Sequence, residues 1–552
     1  MADQTTNMSP EAKRTPTRFR NPHSKYRLII GEACDNCGIC VSLCPYGVFR
    51  KGAKKPKAIS DHLCLGPGCE KDAFYCIRQC PKAAISMRLN PSFEMLGDRR
   101  WTPDLLVSTW YMAETGELPY QDLNYKTGAS RGGFDKIRFV YPRQNGAIAG
   151  ASVAPSSGKA AGASPSMKSA TATGVQHPLD GQSPSSLPAH KSATAAIKAE
   201  DISCAVNLNH SGDGRPQLRI PLPLYLGGMS FGSISIVSML SRVRAATALG
   251  TFCCTGEGGY PDELKPYDDH VITQVATGLF GVREETIKRV SIVEFKYAQG
   301  AKPGLGGHLL GDKVTPRVAA MREAVPGSAL FSPFPFHSVY SVEDHKKHVD
   351  WIKEVNPRAL VSVKVSTPTD VDMVAVGSFF AGAHIIQLDG SYGGTGAAPD
   401  IAKKNIAMPI EYAVPKVHKF LKEEGIRDQV TFVASGGIRT PHDMAKIIAL
   451  GADAVCLGTA DLVALECLRC HHCESGRGCA RGIATTDDEL TGLMDLEWGT
   501  QRIVNLYLAW RKALVAILQR LGMRSVTELT GRTDVLVHLD YMKQEEIDGE
   551  ID

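Results

Sequence analysis

From Asp201 onward the chain alternates between short apolar runs ending in Gly, Ser, Lys or Gln and longer segments whose apolar residues recur three and four positions apart. The short runs are LYLGGMS from Leu224, TFCCTG from Thr251, VEFKYAQG from Val293, ALFSPF from Ala329, LVSVKV from Leu360, IIQLDG from Ile385, TFVASGG from Thr431 and AVCLGT from Ala454. Their β-branched and aromatic content and their brevity predict buried strands. Segments such as SMLSRVRAATALG, VEDHKKHVDWIKEV, PIEYAVPKVHKFLKEEG and HDMAKIIALGA carry the helical period and predict crossover helices. Eight such alternations over roughly 250 residues predict an α/β fold, a (β/α)8 barrel with its site at the carboxyl ends of the strands. A doubly wound sheet is the rival, but the first strand opens no G-x-G-x-x-G turn.

The rest of the chain divides by composition. Residues 1–25 are polar and proline-dotted and are expected to form a disordered arm. A compact unit spans 26–90, and a connecting segment, 91–143, carries Trp101, Trp110 and Tyr111 as anchors against a larger body. Residues 144–200 hold almost no large apolar side chains, so burial cannot offset chain entropy and a flexible linker is expected. The barrel domain is expected over 201–500, with a helical extension over 501–552. At 552 residues, 43% apolar, 22% charged and a net charge of +4, this is an ordinary globular composition. Basic residues are spread and no aromatic-basic RNA motif occurs, so no nucleic-acid partner is expected. No apolar run reaches the roughly 18 residues a membrane span needs. The opening MADQTTNMSPEAKR has acidic residues and no apolar core, so no secretory signal is read and a cytoplasmic chain is expected.

In that compartment sixteen cysteines favour metal or redox chemistry over disulfides. Cys34, Cys37, Cys40 and Cys44-Pro45 have the C-x2-C-x2-C-x3-C-P spacing of a two-cluster iron-sulfur unit. A second set, Cys64, Cys69, Cys76 and Cys80-Pro81, keeps the ending and lengthens the earlier gaps. The crossover rule assigns one [4Fe-4S] cluster to Cys34, Cys37, Cys40 and Cys80, and the other to Cys64, Cys69, Cys76 and Cys44. The unit resembles a bacterial-type ferredoxin domain; a zinc module is the alternative. A third group, Cys467, Cys470, Cys473 and Cys479, follows the eighth predicted strand and suggests a third iron-sulfur cluster, with zinc helped by His471 or His472 as the alternative.

The loop after VEFK carries the densest chemistry. Gly300, Gly304, Gly306 and Gly307 let backbone approach a ligand, while Lys296, Gln299, Lys302, His308, Lys313 and Arg322 supply cations and donors suited to an anion. Ser435-Gly436-Gly437 after the seventh strand and Gly458-Thr459 after the eighth stand where barrels hold phosphate on backbone amides. A phosphate site fed by one-electron clusters implies FMN, since reduction of a C=N or C=O bond needs a hydride. Lys364, ending the fifth strand, is placed to stabilise a reduced flavin. Other strand-end candidates for cofactor contact are Gly228, Met229, Ser230, Thr255, Gln299, Gly394 and Gly396.

The motifs TGEGG (255–259), AQGAKPGLGG (298–307), GDKVTP (311–316), YSVEDH (340–345), VSVKV (361–365), GGTGAAP (393–399) and GIATTD (482–487) resemble the FMN-binding synthase domain of the glutamate synthase family. With a ferredoxin-like head, the arrangement is similar to the family's archaeal type. The resemblance implies reduction of 2-iminoglutarate, formed from 2-oxoglutarate and ammonia, to L-glutamate. It places Glu257, Gln299, Lys302, Arg322 and Ser341 on substrate positions, with His308 where a glutamine is common. It implies a [3Fe-4S] cluster on Cys467, Cys473 and Cys479; the additional Cys470 makes [4Fe-4S] equally admissible. No N-terminal cysteine nucleophile and no NADPH-binding domain are read. Ammonia is therefore expected from a separate glutaminase subunit, and electrons from ferredoxin or an NADPH-oxidising flavoprotein. A subunit that only relays electrons, or a synthase using another amine, are the competing readings.

Overall fold

The computed structural model describes residues 10–20, 23–119, 133–143, 197–396, 398–542 and 550–551. Eight parallel strands close a barrel: β1 (Leu224–Leu226), β2 (Cys253–Cys254), β3 (Val271–Ala276), β4 (Ile292–Lys296), β5 (Leu360–Ser366), β6 (Ile385–Asp389), β7 (Thr431–Ser435) and β8 (Ala454–Leu457). The strands are almost entirely buried because helices cover their outer face, so they read as continuous apolar runs. Register sets neighbours at the strand ends: Lys296 of β4 lies opposite Lys364 of β5, and Asp389 of β6 opposite Ser435 of β7. Polar side chains inside the barrel are bonded to one another. Gln274 Nε2 donates to Glu294 Oε1 at 2.6 Å, and Tyr225 OH donates to Gln387 Oε1 at 2.8 Å.

Seven of the eight predicted strands fall in the barrel, and one does not. The run from Ala329 contributes Leu330–Phe331, which pairs antiparallel with His308–Leu309 in a hairpin of the long β4 loop, leaving Phe331 65% exposed. The strand it displaced is β3, VITQVA. No α-helix separates β2 from β3, only the charged 3-10 stretch Asp262–His270, so the strand–helix rhythm skips there.

Elements and contacts run across the expected boundaries. The arm is pinned over 10–20: Thr15 is buried, with its backbone N donating to Glu114 O at 2.9 Å, and Thr17 Oγ1 donates to Glu466 Oε1 at 2.6 Å. The boundary at residue 500 cuts a single helix, Leu496–Leu521, which packs on the barrel helix Ile236–Leu249 and on Pro103–Thr115 of the connecting segment. Asp495 caps its first turn, accepting from Trp498 N at 2.7 Å, and Gly522 ends it in the left-handed region. Strand Ile137–Tyr141 pairs with both Leu536–His538 and Glu550–Ile551, joining connecting segment and C-terminus in one sheet. Of the expected linker, 144–196 lie outside the described residues. No described helix is long and apolar enough to cross a membrane.

This helical face is locked by a fully buried ion pair, Arg242 Nε to Asp461 Oδ2 at 2.9 Å, with Tyr507 OH donating to the other carboxylate oxygen. Removing one partner strands a charge without water. Arg242→Ala is therefore expected to lower unfolding free energy by about 3–5 kcal/mol, with Arg242→Lys losing less; an unchanged urea midpoint would contradict the role given to this pair.

Candidate active site

The strand ends open into a cavity of about 530 Å³, continuous with a smaller one of about 110 Å³ through Gly228, Met229, Gln299, Lys364, Gly394 and Thr459, which line both. The small end is walled by Ser435, Gly436, Gly437 and Gly458. Gly436 sits at φ 92, and a Cβ there would lie 2.4 Å from Gly390 O. A Cβ on Gly394 would lie 2.1 Å from Thr459 Oγ1. Glycine is thus required where these loops pack on Gly390 and Thr459, and the small void left beside Ser435, Gly437 and Gly458 is a setting that suits a phosphate.

The large end is cationic. Lys296, Lys302, Arg322, Lys364, Arg469 and Arg481 line it against two carboxylates, Glu257 and Glu474. Lys302, Arg322 and Lys364 are each under 10% exposed. Desolvation, and then Lys296, lower the Lys302 pKa; desolvation likewise works against the charge of Arg322. Arg322 NH2 donates to Ser230 Oγ and to Phe231 O, each at 3.0 Å, while its buried Nε has no partner. An anion supplies what these groups lack.

The register pair Lys296 and Lys364 is relieved by separate carboxylates. Glu257 Oε2 lies 3.5 Å from Lys296 Nζ, and Ser332 Oγ donates to Oε1. Burial depresses the Lys296 pKa, and Glu257 only partly offsets it. For Lys364 burial also acts downward, but Asp389, at 3.7 Å, and Glu294 carry it well above the ordinary range. Asp389 is held in turn by Ser435 Oγ at 2.6 Å and Gly300 N at 3.0 Å, tying the phosphate end to the start of the glycine loop.

Thiols form three groups. Cys34, Cys37, Cys40 and Cys80 surround one void, and Cys44, Cys64, Cys69 and Cys76 a second. The short helix Ile39–Leu43 makes the crossover, sending Cys40 to the first void and its capping residue Cys44 to the second. Burial and neighbouring thiols push Cys69 up to about 11 and Cys76 up to about 12, so both are protonated thiols in the absence of a ligand. Among the described residues no group of three or more His, Cys, Asp or Glu side chains is placed to hold a single metal ion. Cys467, Cys470, Cys473 and Cys479 line the large cavity itself. Their loop is braced by Asp98, whose Oδ2 takes Arg469 NH2 at 3.0 Å and His471 Nε2 at 3.2 Å, and by Glu466, which accepts from Arg18 N at 3.0 Å.

Of the expected catalytic residues, Glu257, Gln299, Lys302 and Arg322 line the large cavity. Ser341 does not: it is exposed and caps helix Val342–Val355, accepting from Asp344 N at 3.3 Å. Among expected cofactor contacts Thr255 stands outside the cleft; its buried hydroxyl donates to Gly256 O, a structural role behind the Glu257 loop. The others line the cleft, and His308 joins them while stacking on Phe331. Sequence reading missed Asp389 and Ser332 and gave Lys296 no role of its own. The period of two in β4, which turns Glu294 and Lys296 to one face, was a signal for the last.

A closed parallel barrel with a phosphate cradle, a cationic cavity and a thiol wall at its strand ends defines a barrel-type oxidoreductase. Residues 182–524 match the conserved region in glutamate synthase. The archaeal-type glutamate synthase [NADPH] of Thermotoga maritima is 36% identical over 510 residues, covering 91% of this chain and 92% of that protein. The archaeal glutamate synthase [NADPH] of Methanocaldococcus jannaschii is 44% identical over 322 residues, 58% of this chain and 63% of that one. The chain belongs to the glutamate synthase family.

The cradle yields a direct test. Gly436→Ala places a methyl against Gly390 O in a left-handed backbone, and FMN affinity, read by quenching of flavin fluorescence, is expected to fall at least about tenfold, a loss near 1–3 kcal/mol. Unchanged affinity would place the phosphate elsewhere.

Proposed function

We propose that this chain is the glutamate-forming subunit of a glutamate synthase, carrying out reductive amination of 2-oxoglutarate through 2-iminoglutarate to L-glutamate. The observation that carries the reading is the surplus of buried Lys and Arg over Glu in the strand-end cavity, which suits a substrate with two carboxylates. Family membership and the names of the relatives support the same reaction.

In this reading Arg322 and Lys302 each anchor one carboxylate, Arg322 through a buried Nε that no protein group satisfies and Lys302 through an ammonium whose charge burial and Lys296 oppose. Glu257 holds the ammonium or iminium nitrogen by opposite charge, and Gln299 bonds substrate at the junction of the two cavities. Lys296 Nζ, beside Glu257 Oε2, keeps a proton next to the position assigned to that nitrogen. FMN would rest its phosphate on Ser435, Gly436, Gly437, Gly458 and Thr459, with Lys364 alongside; when bound it supplies the hydride. Cys34, Cys37, Cys40 and Cys80 would hold one [4Fe-4S] cluster, Cys44, Cys64, Cys69 and Cys76 a second, and the 467–479 loop a third iron-sulfur cluster. Burial of Lys302, Arg322 and Lys364 limits the water that competes for the substrate carboxylates. Ammonia comes from solution or a separate glutaminase subunit.

Protein purified without oxygen is expected to be brown and to hold about 11 or 12 irons per chain when fully loaded. Fewer than about six irons, or zinc in their place, would overturn the electron-transfer assignment. Arg322→Ala is expected to cost about 2–4 kcal/mol, roughly 30-fold to 1000-fold in kcat/KM for 2-oxoglutarate, while flavin reduction by dithionite stays normal. Glutamate formation at the parental rate with subsaturating 2-oxoglutarate would sink the anchor.

A further inference from the structure

The two thiol voids of the head differ in exposure and surroundings. The one bounded by Cys44, Cys64, Cys69 and Cys76 faces inward: Leu65 on its wall is 4% exposed and packs with Cys69 and Tyr46 against Val107. Val107 belongs to helix Pro103–Thr115, which lies on the barrel helices Thr459–Ala464 and Leu496–Leu521. The other void faces outward. Cys37 is exposed, Ile39 is 40% exposed, and the exposed Lys82 lines the void with them, over the buried Pro56.

That outer rim is strongly basic. Residues 50–57, RKGAKKPK, place five cations in eight positions with no carboxylate. The strands Phe49–Arg50 and Lys57–Ala58 pair antiparallel, and Asn36 Nδ2 donates to Gly52 O at 3.1 Å, so the hairpin is fastened to the loop between Cys34 and Cys37. Lys55 Nζ donates to Ile30 O at 3.1 Å, which binds the hairpin to the opposite wall of the same void. Arg50, Lys51, Lys54 and Lys57 are exposed. The carboxylates on this face are Glu32 and Asp35; Asp35 lies 3.9 Å from Lys82. A fixed, exposed basic rim around a thiol-lined void attracts negative surfaces to that point over about a Debye length of 8 Å.

We propose that the 50–57 hairpin with Lys82 is the docking face for an acidic one-electron carrier protein of the ferredoxin class, delivering electrons to the centre held by Cys34, Cys37, Cys40 and Cys80. This rests on the reading above that those thiols hold an iron-sulfur cluster, and it selects the kind of donor. Condensation of 2-oxoglutarate with ammonia releases water and gives the imine. Two carrier molecules then each lose one electron, and the imine gains two electrons and two protons to become glutamate. The centre takes single electrons, so a hydride donor does not serve at this face without an intervening carrier.

The test is equilibrium binding of the anaerobic holoprotein to an oxidised, acidic two-cluster ferredoxin, measured calorimetrically at two ionic strengths. Lys51→Glu/Lys54→Glu/Lys57→Glu is expected to weaken binding at least about tenfold, and the parent to lose affinity as salt rises. Lys→Gln at the same three positions should fall between, which guards against a folding defect; Lys346→Glu/Lys347→Glu on a distant helix should bind as the parent does. In turnover, the triple Glu variant should raise KM for reduced ferredoxin while its rate with reduced methyl viologen stays parental. Equal affinity of parent and triple variant, or parental binding to a basic carrier as strong as to the acidic one, overturns the docking face. Absence of iron from the head would instead overturn the underlying cluster assignment, so the two failures are distinguishable.

Discussion

Lys296 and Lys364 stand in register across two adjacent barrel strands, and that placement governs the chemistry of the strand ends. Two ammonium groups brought together with little water repel, so each has its own carboxylate: Glu257 from the loop after β2 for one, Asp389 from β6 for the other. Both acids lie beside the cavities, so charge compensation and site construction are one arrangement. Asp389, through Ser435 and Gly300, also links the phosphate end to the glycine loop. Lys302 and Arg322 then add charge for which Glu257, already paired with Lys296, is a shared counter-charge, and an anion completes the balance.

Close approach of backbone makes this possible. Gly258, at φ 122, lies where a Cβ would come within 2.5 Å of the Arg322 guanidinium carbon, so the Glu257 loop can lie directly on the arginine only with glycine there. The guanidinium is held from the other side by Ser230 and Phe231 of the β1 loop. Three strand-end loops thus converge on one cation, which fixes its direction before any ligand arrives.

The cysteine loop is built into the same cavity by segments far away in the chain. Asp98 grips Arg469 and His471 from the stretch between head and helix, and Glu466, fully buried, gathers Thr17, Arg18 and Arg481. Helix Pro103–Thr115 is bound to the body by Arg502, whose Nε and NH2 donate to Ala464 O and Trp110 O. The head in turn packs on that helix, with Leu65, Tyr46 and Cys69 against Val107.

What the sequence determined by itself was whatever depends on short-range pattern. The cysteine spacing was sufficient to divide eight thiols between two voids, because a four-residue helical step is local geometry. Apolar runs and glycine-rich ends located seven barrel strands and pointed to the strand ends where the cleft lies, since strand periodicity and the site's position on a barrel are local or generic. Tertiary structure alone decided the rest. It made VITQVA a barrel strand and put LF in a surface hairpin, because membership of a closed sheet is set by partners and not by a segment's own composition. It turned Ser341 into a helix cap, and it pinned a polar arm whose Thr15, Thr17 and Arg18 find partners roughly a hundred to several hundred residues away. It also assigned Asp389 to Lys364 and Glu257 to Lys296: electrostatic balance acts through space over a few ångströms, and sequence separation carries no record of it.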